Sequence, residues 1–394
     1  MEPIMTISSA DTSIPSNVGT IPFFRPSVGD AEINAVVECL RSGWLTTGPQ
    51  ARAFEEEFAA CLGPVEAVAV NSATAALHLG LEAMGVGEGD EVILPTLTFT
   101  ATAEVVRYMG ARPTFVDMDP TTLCLDLDAV EAAITPRTRV IMPVHFAGRP
   151  CDLKRLRAIA DRNGLRILSD AAHAFPATQG GRPVGDDLAD ATAFSFYANK
   201  TMTTGEGGML TTRDADLAGR ARVMRLHGID RDVFNRFTDP RADWLYDVVA
   251  PGFKYNLTDP AAALGRVQLA RREDFLARRT ELAARYDDAL TGLPLLLPPH
   301  AADEDVHSWH LYIIRVTDAA PITRNELAAG MREAGIGISV HYRPLHQLSV
   351  WSDHGGAFPQ ADHYFERCLS LPLFMAMTRA EQARVIEVVA GLLS

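Results

Sequence analysis

Hydrophobic positions along the chain form short apolar runs, and amphipathic stretches with helical spacing separate these runs. Apolar runs bounded by Gly, Pro, Asn and Asp are typical of buried strands. We predict strands at 67–70, 91–94, 112–116, 140–144, 165–169, 193–196 and 209–212. We predict helices at 32–40, 50–62, 75–84, 98–109, 127–134, 152–163 and 214–226. Strands that alternate with helices predict an α/β fold whose mostly parallel sheet is covered by helices.

The pattern changes after the last of these helices. Residues 227–252 lack clear periodicity and predict a long loop, a kind of segment that often has a function. A helical stretch at 261–290 follows, and then a strand at 311–316, a helix at 324–334 and a strand at 338–341.

These changes predict the domain organisation. We expect a flexible leader at 1–20, a large domain at 21–265 and a smaller C-terminal α/β domain at 266–394, joined by the long helix from about residue 261. The leader is polar and has no apolar segment like that of a signal peptide.

Chemically distinctive residues follow two of the predicted strands. Strand 165–169 is followed by Asp170-Ala-Ala-His173, and strand 193–196 leads into a loop with Lys200 and a Thr- and Gly-rich stretch. Open α/β sheets bind ligands outside the carboxyl ends of their strands. We therefore expect Asp170, His173 and Lys200 to face one site.

A lysine and a carboxylate in one site fit the chemistry of pyridoxal phosphate. A lysine amine condenses with the aldehyde of this cofactor, and a buried carboxylate keeps the pyridine nitrogen protonated. We predict that Lys200 forms the Schiff base and that Asp170 pairs with the ring nitrogen. The alternative for Lys200 is a solvated loop lysine, and the Gly-rich surroundings and the upstream Asp170 disfavour it.

The first predicted strand leads into a turn that can bind an anion. Asn71-Ser72-Ala73-Thr74 joins strand 67–70 to a strongly helical stretch. The free N–H groups and the positive end of a helix favour a phosphate there, and hydroxyl groups add hydrogen bonds. The alternative is an ordinary helix N-cap, which Ser and Thr often supply. A cofactor that needs a phosphate anchor favours the anion site.

Three other positions allow both a structural and a functional interpretation. Phe99 is either a core residue or an aromatic side chain that stacks on a flat heterocycle. The segment with Thr46 and Thr47 is either a turn or part of a polar pocket. The segment 341–346 is either an exposed polar turn or a site for an acidic ligand.

Composition excludes some classes of partner. The chain has 36 Lys and Arg against 50 Asp and Glu, a net charge of −14. This charge argues against binding to nucleic acid or to anionic membrane surfaces, so an anionic substrate needs local Arg, His or N–H groups. The five cysteines are scattered and form no CxxC pair, which predicts no metal site and favours a reducing, cytoplasmic compartment. No apolar run has the length of a membrane span.

Several motifs together give the chain a family resemblance. They are Gly43-Trp-Leu-Thr-Thr-Gly-Pro49, Asn71-Ser-Ala-Thr-Ala-Ala-Leu77, Gly89-Asp-Glu-Val-Ile-Leu-Pro95, Asp170-Ala-Ala-His173, Phe194-Ser-Phe-Tyr-Ala-Asn-Lys200, Gly205-Glu-Gly-Gly208 and Lys254-Tyr-Asn-Leu-Thr-Asp259. In this order and spacing the chain resembles the DegT/StrS-type sugar aminotransferases from about residue 43 to residue 373. The resemblance implies aspartate-aminotransferase-like fold type I, with pyridoxal 5′-phosphate as cofactor.

The resemblance also implies roles for individual residues. Lys200 would carry the Schiff base and then shuttle a proton, and Asp170 would pair with the ring nitrogen. His173 would lie beside the ring, near the substrates. Residues that would hold the cofactor's phosphate or flank its ring are Ser72, Ala73, Thr74, Ser195, Phe99 and Ala172. Asn256 would reach the phosphate of the neighbouring subunit's cofactor in a homodimer with shared active sites. Residues predicted to bind substrate are Thr46, Thr47, Tyr197, His341, Tyr342 and Arg343.

The implied reaction is transfer of an amino group from L-glutamate to a keto group of a nucleotide-linked keto-deoxy sugar. Within the family the chain resembles enzymes of the 4-amino-4-deoxy-arabinose type, which aminate C4. It departs from many relatives at Ala73, where they have Gly, and at Tyr197, where they often have His. Lys200 disfavours the dehydrating branch, which has His there. The alternatives are amination of a keto-cyclitol and a non-catalytic sensor on the same scaffold.

Overall fold

The structure is a computed structural model, and it describes residues 19–186, 188–230, 246–302 and 304–394. Nearly all of the predicted leader at 1–20 and most of the predicted loop at 227–252 lie outside the described residues. Within the described ranges, no helix combines the length and the apolar character that crossing a membrane requires.

The described strands are β1 (Glu66–Val70), β2 (Glu91–Pro95), β3 (Arg112–Val116), β4 (Thr138–Ile141), β5 (Arg166–Asp170), β6 (Thr178–Gln179), β7 (Arg182–Pro183), β8 (Ala191–Ser195), β9 (Gly208–Thr212), β10 (Leu295–Leu296), β11 (Tyr312–Val316) and β12 (Cys368–Leu371). The described α-helices are α1 (Asp30–Ser42), α2 (Pro49–Leu62), α3 (Ala73–Ala83), α4 (Ala101–Tyr108), α5 (Leu127–Ala133), α6 (Leu153–Asn163), α7 (Ala215–Met224), α8 (Asp259–Ala270), α9 (Arg272–Leu290), α10 (Arg324–Glu333), α11 (Pro359–Arg367) and α12 (Arg379–Leu393).

A seven-stranded sheet in the order β1-β9-β8-β5-β4-β2-β3 forms the centre of the fold. Strand β9 is antiparallel to β1 and to β8. The other pairs in this sheet are parallel. The predicted mostly parallel sheet with covering helices is therefore confirmed. The carboxyl ends of β2, β4, β5 and β8 meet at one edge, as a parallel sheet requires.

Helix α3 packs tightly on this sheet and fixes the position of the turn before it. Its residues from Ala75 to Leu81 are buried, which explains why the sequence is apolar on every side of the helix. A Cβ atom at Gly80 would lie 2.7 Å from Cδ1 of Leu168 in β5. This close approach packs α3 against β5, and the N-terminus of α3 lies beside the edge where the carboxyl ends of the parallel strands meet.

A second, antiparallel sheet in the order β10-β11-β12 belongs to the C-terminal part of the chain. Its own hydrophobic cluster includes Tyr286 of α9, Tyr312 and Ile314 of β11 and Val385 of α12. Separate clusters of this kind agree with a distinct C-terminal unit, and the boundary between residues 265 and 266 stays a prediction.

Two predicted elements of the C-terminal part are wrong. The predicted helix 261–290 is two helices, α8 and α9, because Arg271 has φ −97° and ψ 7°. The guanidinium of Arg271 pairs with the buried Glu32 at this junction. The predicted strand 338–341 is reduced to an isolated bridge between Ser339 and Ser370. Strand β12, to which Ser370 belongs, has only four residues and was not predicted.

Candidate active site

Loops at the carboxyl ends of β2, β5 and β8 surround a cavity of about 510 Å³, together with the turn after β1 and the segment 341–342. Most of the predicted site residues line this cavity. They are Ser72, Ala73, Thr74, Phe99, Asp170, Ala172, His173, Ser195, Tyr197, Lys200, His341 and Tyr342. Sequence positions separated by more than 250 residues thus meet in one place.

Lys200 extends into the cavity from the loop that follows β8. Its backbone N–H donates to the carbonyl oxygen of Tyr197 at 3.0 Å, and this turn holds the residue in place. The side chain is partly buried. Burial lowers the pKa of Lys200 to about 8, although the negative charge of Asp170 opposes the shift. The neutral fraction near neutral pH is therefore much larger than for an ordinary lysine, and the neutral amine is the form that attacks a carbonyl carbon.

Asp170 is the last residue of β5, and its carboxylate is buried in the cavity wall. Oδ1 accepts the N–H of Ala172 at 3.1 Å, and Oδ2 accepts the hydroxyl of Thr102 at 2.9 Å. Burial raises the pKa of Asp170. The two hydrogen bonds and the positive charge of Lys200 oppose this rise, because they stabilise the ionised form.

The turn after β1, predicted to bind an anion and termed the anion cradle, lies in the cavity wall. Ser72 caps α3, because its Oγ accepts the N–H of Ala75 at 3.1 Å. The amides of Ala73 and Thr74 lie in the first turn of α3, where N–H groups have no partner within the helix. A Cβ atom on Gly208 would lie 2.5 Å from the carbonyl carbon of Ser72. Both interpretations of the turn therefore hold: Ser72 is an N-cap, and the turn is part of the cavity.

Phe99 and Ala172 are the residues predicted to flank a flat ring. The side chain of Phe99 is 57% exposed, so the alternative of a core residue is wrong. Its ring centroid lies 5.9 Å from that of Tyr342. An exposed aromatic in a cavity wall is free to stack on a ligand.

His173 belongs to a buried cluster of aromatic rings behind the cavity. Its Nε2 lies 3.1 Å from the hydroxyl of Tyr342, and its ring centroid lies 4.3 Å from that of His310. Burial lowers the pKa of His173 well below the usual value, so the imidazole is neutral. His341 lines the cavity with its Nδ1 at 2.7 Å from Oγ of Ser370, and burial lowers its pKa to about 4.

Four predicted site residues do not line this cavity: Thr46, Thr47, Asn256 and Arg343. The hydroxyl of Thr47 donates to the carbonyl of Leu257 at 2.6 Å and accepts Nδ2 of Asn256 at 2.7 Å. The side chain of Arg343 is exposed and donates to the carbonyl of Gln347 at 2.8 Å. Within one chain Thr47, Asn256 and Arg343 thus bind protein groups. Asn256 was predicted to reach the cofactor of a neighbouring subunit, and the substrate roles of Thr46, Thr47 and Arg343 stay predictions.

Sequence reasoning missed several residues of the site, among them Thr98, Thr102, Glu206 and His310. Thr102 binds Asp170, His310 packs on His173, and Glu206 lines the cavity. Thr102 and His310 carry no local signal, because their partners lie 68 and more residues away in the sequence. The Gly205-Glu-Gly-Gly208 motif was noted, and its acidic residue was the available signal for Glu206.

Comparisons with known proteins agree with this geometry. The model of the DegT/DnrJ/EryC1/StrS aminotransferase family matches residues 26–390. The spore coat polysaccharide biosynthesis protein SpsC of Bacillus subtilis (strain 168) is 46% identical over 375 residues, 94% of this chain and 96% of SpsC.

Solved structures are similar over nearly the whole chain. A putative sugar aminotransferase, Spr1654 from Streptococcus pneumoniae in its PMP form, has a TM-score of 0.89 at 37% identity, covering 94% of this chain and 98% of that one. DesV of S. venezuelae, in complex with a ketimine intermediate, has a TM-score of 0.85 at 34% identity, covering 95% of this chain and 99% of that one. These similarities confirm the predicted fold type I, and the chain belongs to the DegT/DnrJ/EryC1/StrS aminotransferase family.

Proposed function

We propose that this aminotransferase moves the amino group of L-glutamate to a keto carbon, at C4, of a nucleotide-linked keto-deoxy sugar in amino-sugar biosynthesis. Membership of the aminotransferase family supports the reaction class. The similarity to Spr1654, named as a sugar aminotransferase, and to SpsC, named for polysaccharide biosynthesis, supports a sugar as acceptor. The observation that carries the proposal is one cavity that contains Lys200, Asp170 and the anion cradle of α3.

The residues of the cavity fit pyridoxal phosphate, which is bound in the PLP form of Spr1654. This cofactor has an aldehyde, a ring nitrogen and a phosphate, and the cavity offers an amine, a carboxylate and a helix N-terminus. Strand β9 approaches Ser72 closely at Gly208, where a side chain would collide with the backbone of Ser72. The observed turn therefore requires a residue without a Cβ atom at position 208. When bound, the cofactor supplies an electron sink for carbanion chemistry.

Each residue has a task that its environment supports. The amine of Lys200 would hold the cofactor through its aldehyde carbon, by condensation with loss of water, and as a free amine it would carry a proton at the reacting carbon. Asp170 holds a proton on the ring nitrogen as an ionised partner. The amides of Ala73 and Thr74, with Ser195, bind the phosphate. Phe99 and Ala172 hold the ring between them.

His173, neutral and hydrogen bonded to Tyr342, orients groups beside the ring without adding charge. Tyr197, His341 and Tyr342 line the cavity, and they would contact the sugar there. Glutamate and the nucleotide diphosphate are anionic, and a chain of net charge −14 must bind them through local cationic or N–H groups.

A homodimer accounts for the residues outside the cavity. Thr46, Thr47, Asn256 and Arg343 then serve the site of the second copy, with Asn256 reaching its cofactor phosphate. A mixing experiment tests this: a Lys200→Ala chain and an Asn256→Ala chain, inactive or weak alone, regain activity after they are unfolded and refolded together. Failure of the mixture to exceed the separate chains would exclude a shared site.

The three lysines of the sequence allow a direct test of the cofactor attachment. Borohydride converts a carbon–nitrogen double bond between a lysine and pyridoxal phosphate into a stable secondary amine, which peptide mass spectrometry locates. We expect the label on Lys200, with the matched lysines Lys154 and Lys254 unlabelled. Equal labelling of all three, or a Lys200→Ala chain that turns over like the wild type, would contradict the proposal.

A substrate panel tests the acceptor and the donor. We expect the visible absorbance of the holoenzyme to bleach with L-glutamate and to return when a nucleotide-linked 4-keto sugar is added. NMR of the product locates the new amino group at C4. Recovery with a keto-cyclitol instead of the nucleotide sugar would favour the alternative acceptor, and a protein that glutamate never bleaches would favour the sensor.

A further inference from the structure

Two threonines form a hydrogen-bonded chain that ends on the carboxylate of Asp170. The hydroxyl oxygen of Thr102 lies 2.9 Å from Oδ2 of Asp170, and the hydroxyl oxygen of Thr98 lies 2.8 Å from that of Thr102. Thr98 is 2% exposed and Thr102 is fully buried. Thr98 lies in the loop after β2, and Thr102 lies in the first turn of α4. These two hydrogen bonds therefore connect the end of β2 to the end of β5.

The chemistry of the groups fixes the direction of this chain. An ionised carboxylate only accepts hydrogen bonds, and each threonine has a single hydroxyl proton to donate. The proton of Thr102 goes to Asp170, so the bond between the two threonines is donated by Thr98. Hydrogen bonds that point the same way polarise one another and become stronger. Both hydroxyl groups thus act in series on one carboxylate oxygen.

The other oxygen of Asp170 is occupied as well. Oδ1 accepts the N–H of Ala172, while Oδ2 accepts Thr102. Each carboxylate oxygen has further lone pairs, so Asp170 keeps room for one more donor from the cavity side. The titratable groups that act on Asp170 are Lys200 from the loop after β8 and Tyr342 from the segment 341–342. Tyr342 is neutral because burial raises its pKa, so the threonines and Ala172 are the neutral donors that stabilise the ionised carboxylate.

We propose that Thr102, with Thr98 behind it, is a positioning residue that keeps Asp170 ionised and correctly oriented for the cofactor's ring nitrogen. The proposal rests on the proposed role of Asp170 and adds the two residues that maintain it. Without the hydroxyl of Thr102, a buried carboxylate loses a charge-assisted hydrogen bond and takes up a proton more readily. A protonated Asp170 no longer holds a proton on the ring nitrogen.

A graded series of variants tests the proposal with cofactor affinity as the readout. Pyridoxal phosphate is titrated into apoprotein and followed by its absorbance. Thr102→Val, which keeps the shape and removes the hydroxyl, weakens the affinity roughly tenfold or more, the usual effect of losing a hydrogen bond to a charged group. Thr98→Val has a smaller effect, and Thr102→Ser restores nearly wild-type affinity. Thr98→Val adds little in the Thr102→Val background, because the hydrogen bonds from Thr98 through Thr102 to Asp170 are already interrupted.

The pH dependence of cofactor affinity gives a second readout. Cofactor affinity falls at low pH as Asp170 takes up a proton, and this fall is the acid limb of the pH profile. In Thr102→Val the acid limb moves to higher pH, because a carboxylate with fewer hydrogen-bond donors takes up a proton at higher pH. In Thr102→Ser the acid limb stays at the wild-type pH. Packing alone would not move this limb. Equal loss in Thr102→Ser and Thr102→Val, or a Thr102→Val chain with wild-type affinity and acid limb, would overturn the proposal. Thermal unfolding of each apoprotein identifies a variant that fails to fold, and the Thr98→Val and Thr102→Ser results then decide.

Asp170→Asn separates this inference from the proposed function. If Asp170→Asn binds pyridoxal phosphate like the wild type, the role of Asp170 itself is wrong. If Asp170→Asn loses affinity while both threonine variants keep it, the role of Asp170 stands and only the threonine chain is excluded.

Discussion

Two groups of polar residues in this chain differ in what they contact: one group lines the cavity, and the other binds protein groups outside it. Asp170, Lys200 and the turn at 72–74 follow three different strands and meet in one cavity. Thr47, Asn256 and Asp259 come from two loops and bind one another and the backbone outside that cavity. Both groups contain residue types that bind ligands, and both looked similar in the sequence.

Sheet topology explains the difference. The carboxyl ends of parallel strands lie at one edge of a sheet, so any polar residue there faces the same space. Loops away from that edge have no such rule, and their hydroxyl and amide groups satisfy each other when no ligand is near. A polar residue at a strand end is therefore a stronger indication of a site than the same residue in a long connection.

The largest effect is expected from filling the anion cradle. In Gly208→Ala a Cβ atom would lie 2.5 Å from the carbonyl carbon and oxygen of Ser72 and 2.7 Å from the amide nitrogen of Ala73. The turn must shift, so the affinity for pyridoxal phosphate falls roughly ten- to a hundredfold, as expected for overpacking of this size. Titration of the apoprotein measures it.

Gly219→Ala in α7 is the matched control, since a Cβ atom there meets nothing within 4 Å. We expect wild-type affinity and a stability gain of up to about 1 kcal/mol, because Ala favours a helix over Gly. Similar affinities in Gly208→Ala and Gly219→Ala would show that the turn does not bind the cofactor.

Local patterns predicted most of the fold. Strand β3 was predicted with the observed bounds, and helix α6 with a difference of one residue at its start, because both combine a clear period with Gly or Pro nearby. The break at Arg271 carries no Gly or Pro, and it lies where Arg271 pairs with Glu32, 239 residues earlier. The helix propensity of the residues near Arg271 cannot predict a contact with a residue so distant in the sequence.

The site was predictable where motifs lie at strand ends, and the family resemblance added the individual roles. It was not predictable where a side chain acts through another. Thr102 looks like an ordinary residue of α4, and only the fold brings its hydroxyl to Asp170. His310 likewise meets His173 only through the packing of the C-terminal part on the central sheet.

A smaller effect concerns the protonation of Lys200. Its pKa of about 8 predicts that the rate at which apoprotein captures pyridoxal phosphate rises with pH and levels off above 8, because only the neutral amine reacts. Asp170 raises this pKa, so Asp170→Asn moves the midpoint below that of the wild type. Stopped-flow absorbance over a pH series measures both midpoints.

The exposed Asp128, on α5, provides the control for charge alone. Asp128→Asn is expected to leave the midpoint unchanged, since exposed charges at a distance are screened. An identical midpoint in Asp170→Asn and the wild type would mean that the two groups do not interact across the cavity.

The smallest effect on the cavity is expected from the second group of residues. The buried carboxylate of Asp259 accepts the N–H groups of Gly48 at 2.7 Å and Ala51 at 3.0 Å, and it thereby caps α2 from a distant segment. Asp259→Ala leaves these donors unpaired, so the free energy of unfolding falls by about 1–3 kcal/mol. Urea unfolding measures the loss. Cofactor titration should show a smaller loss of affinity than in Gly208→Ala, because in the proposed homodimer this region reaches only the cofactor of the second copy, through Asn256. The control Asp152→Ala removes an exposed cap with one bond, to the N–H of Arg155, and should cost about 1 kcal/mol or less. Wild-type cofactor affinity in Asp259→Ala would contradict a shared site in which the loops at 46–51 and 254–259 act on the cofactor of the second copy.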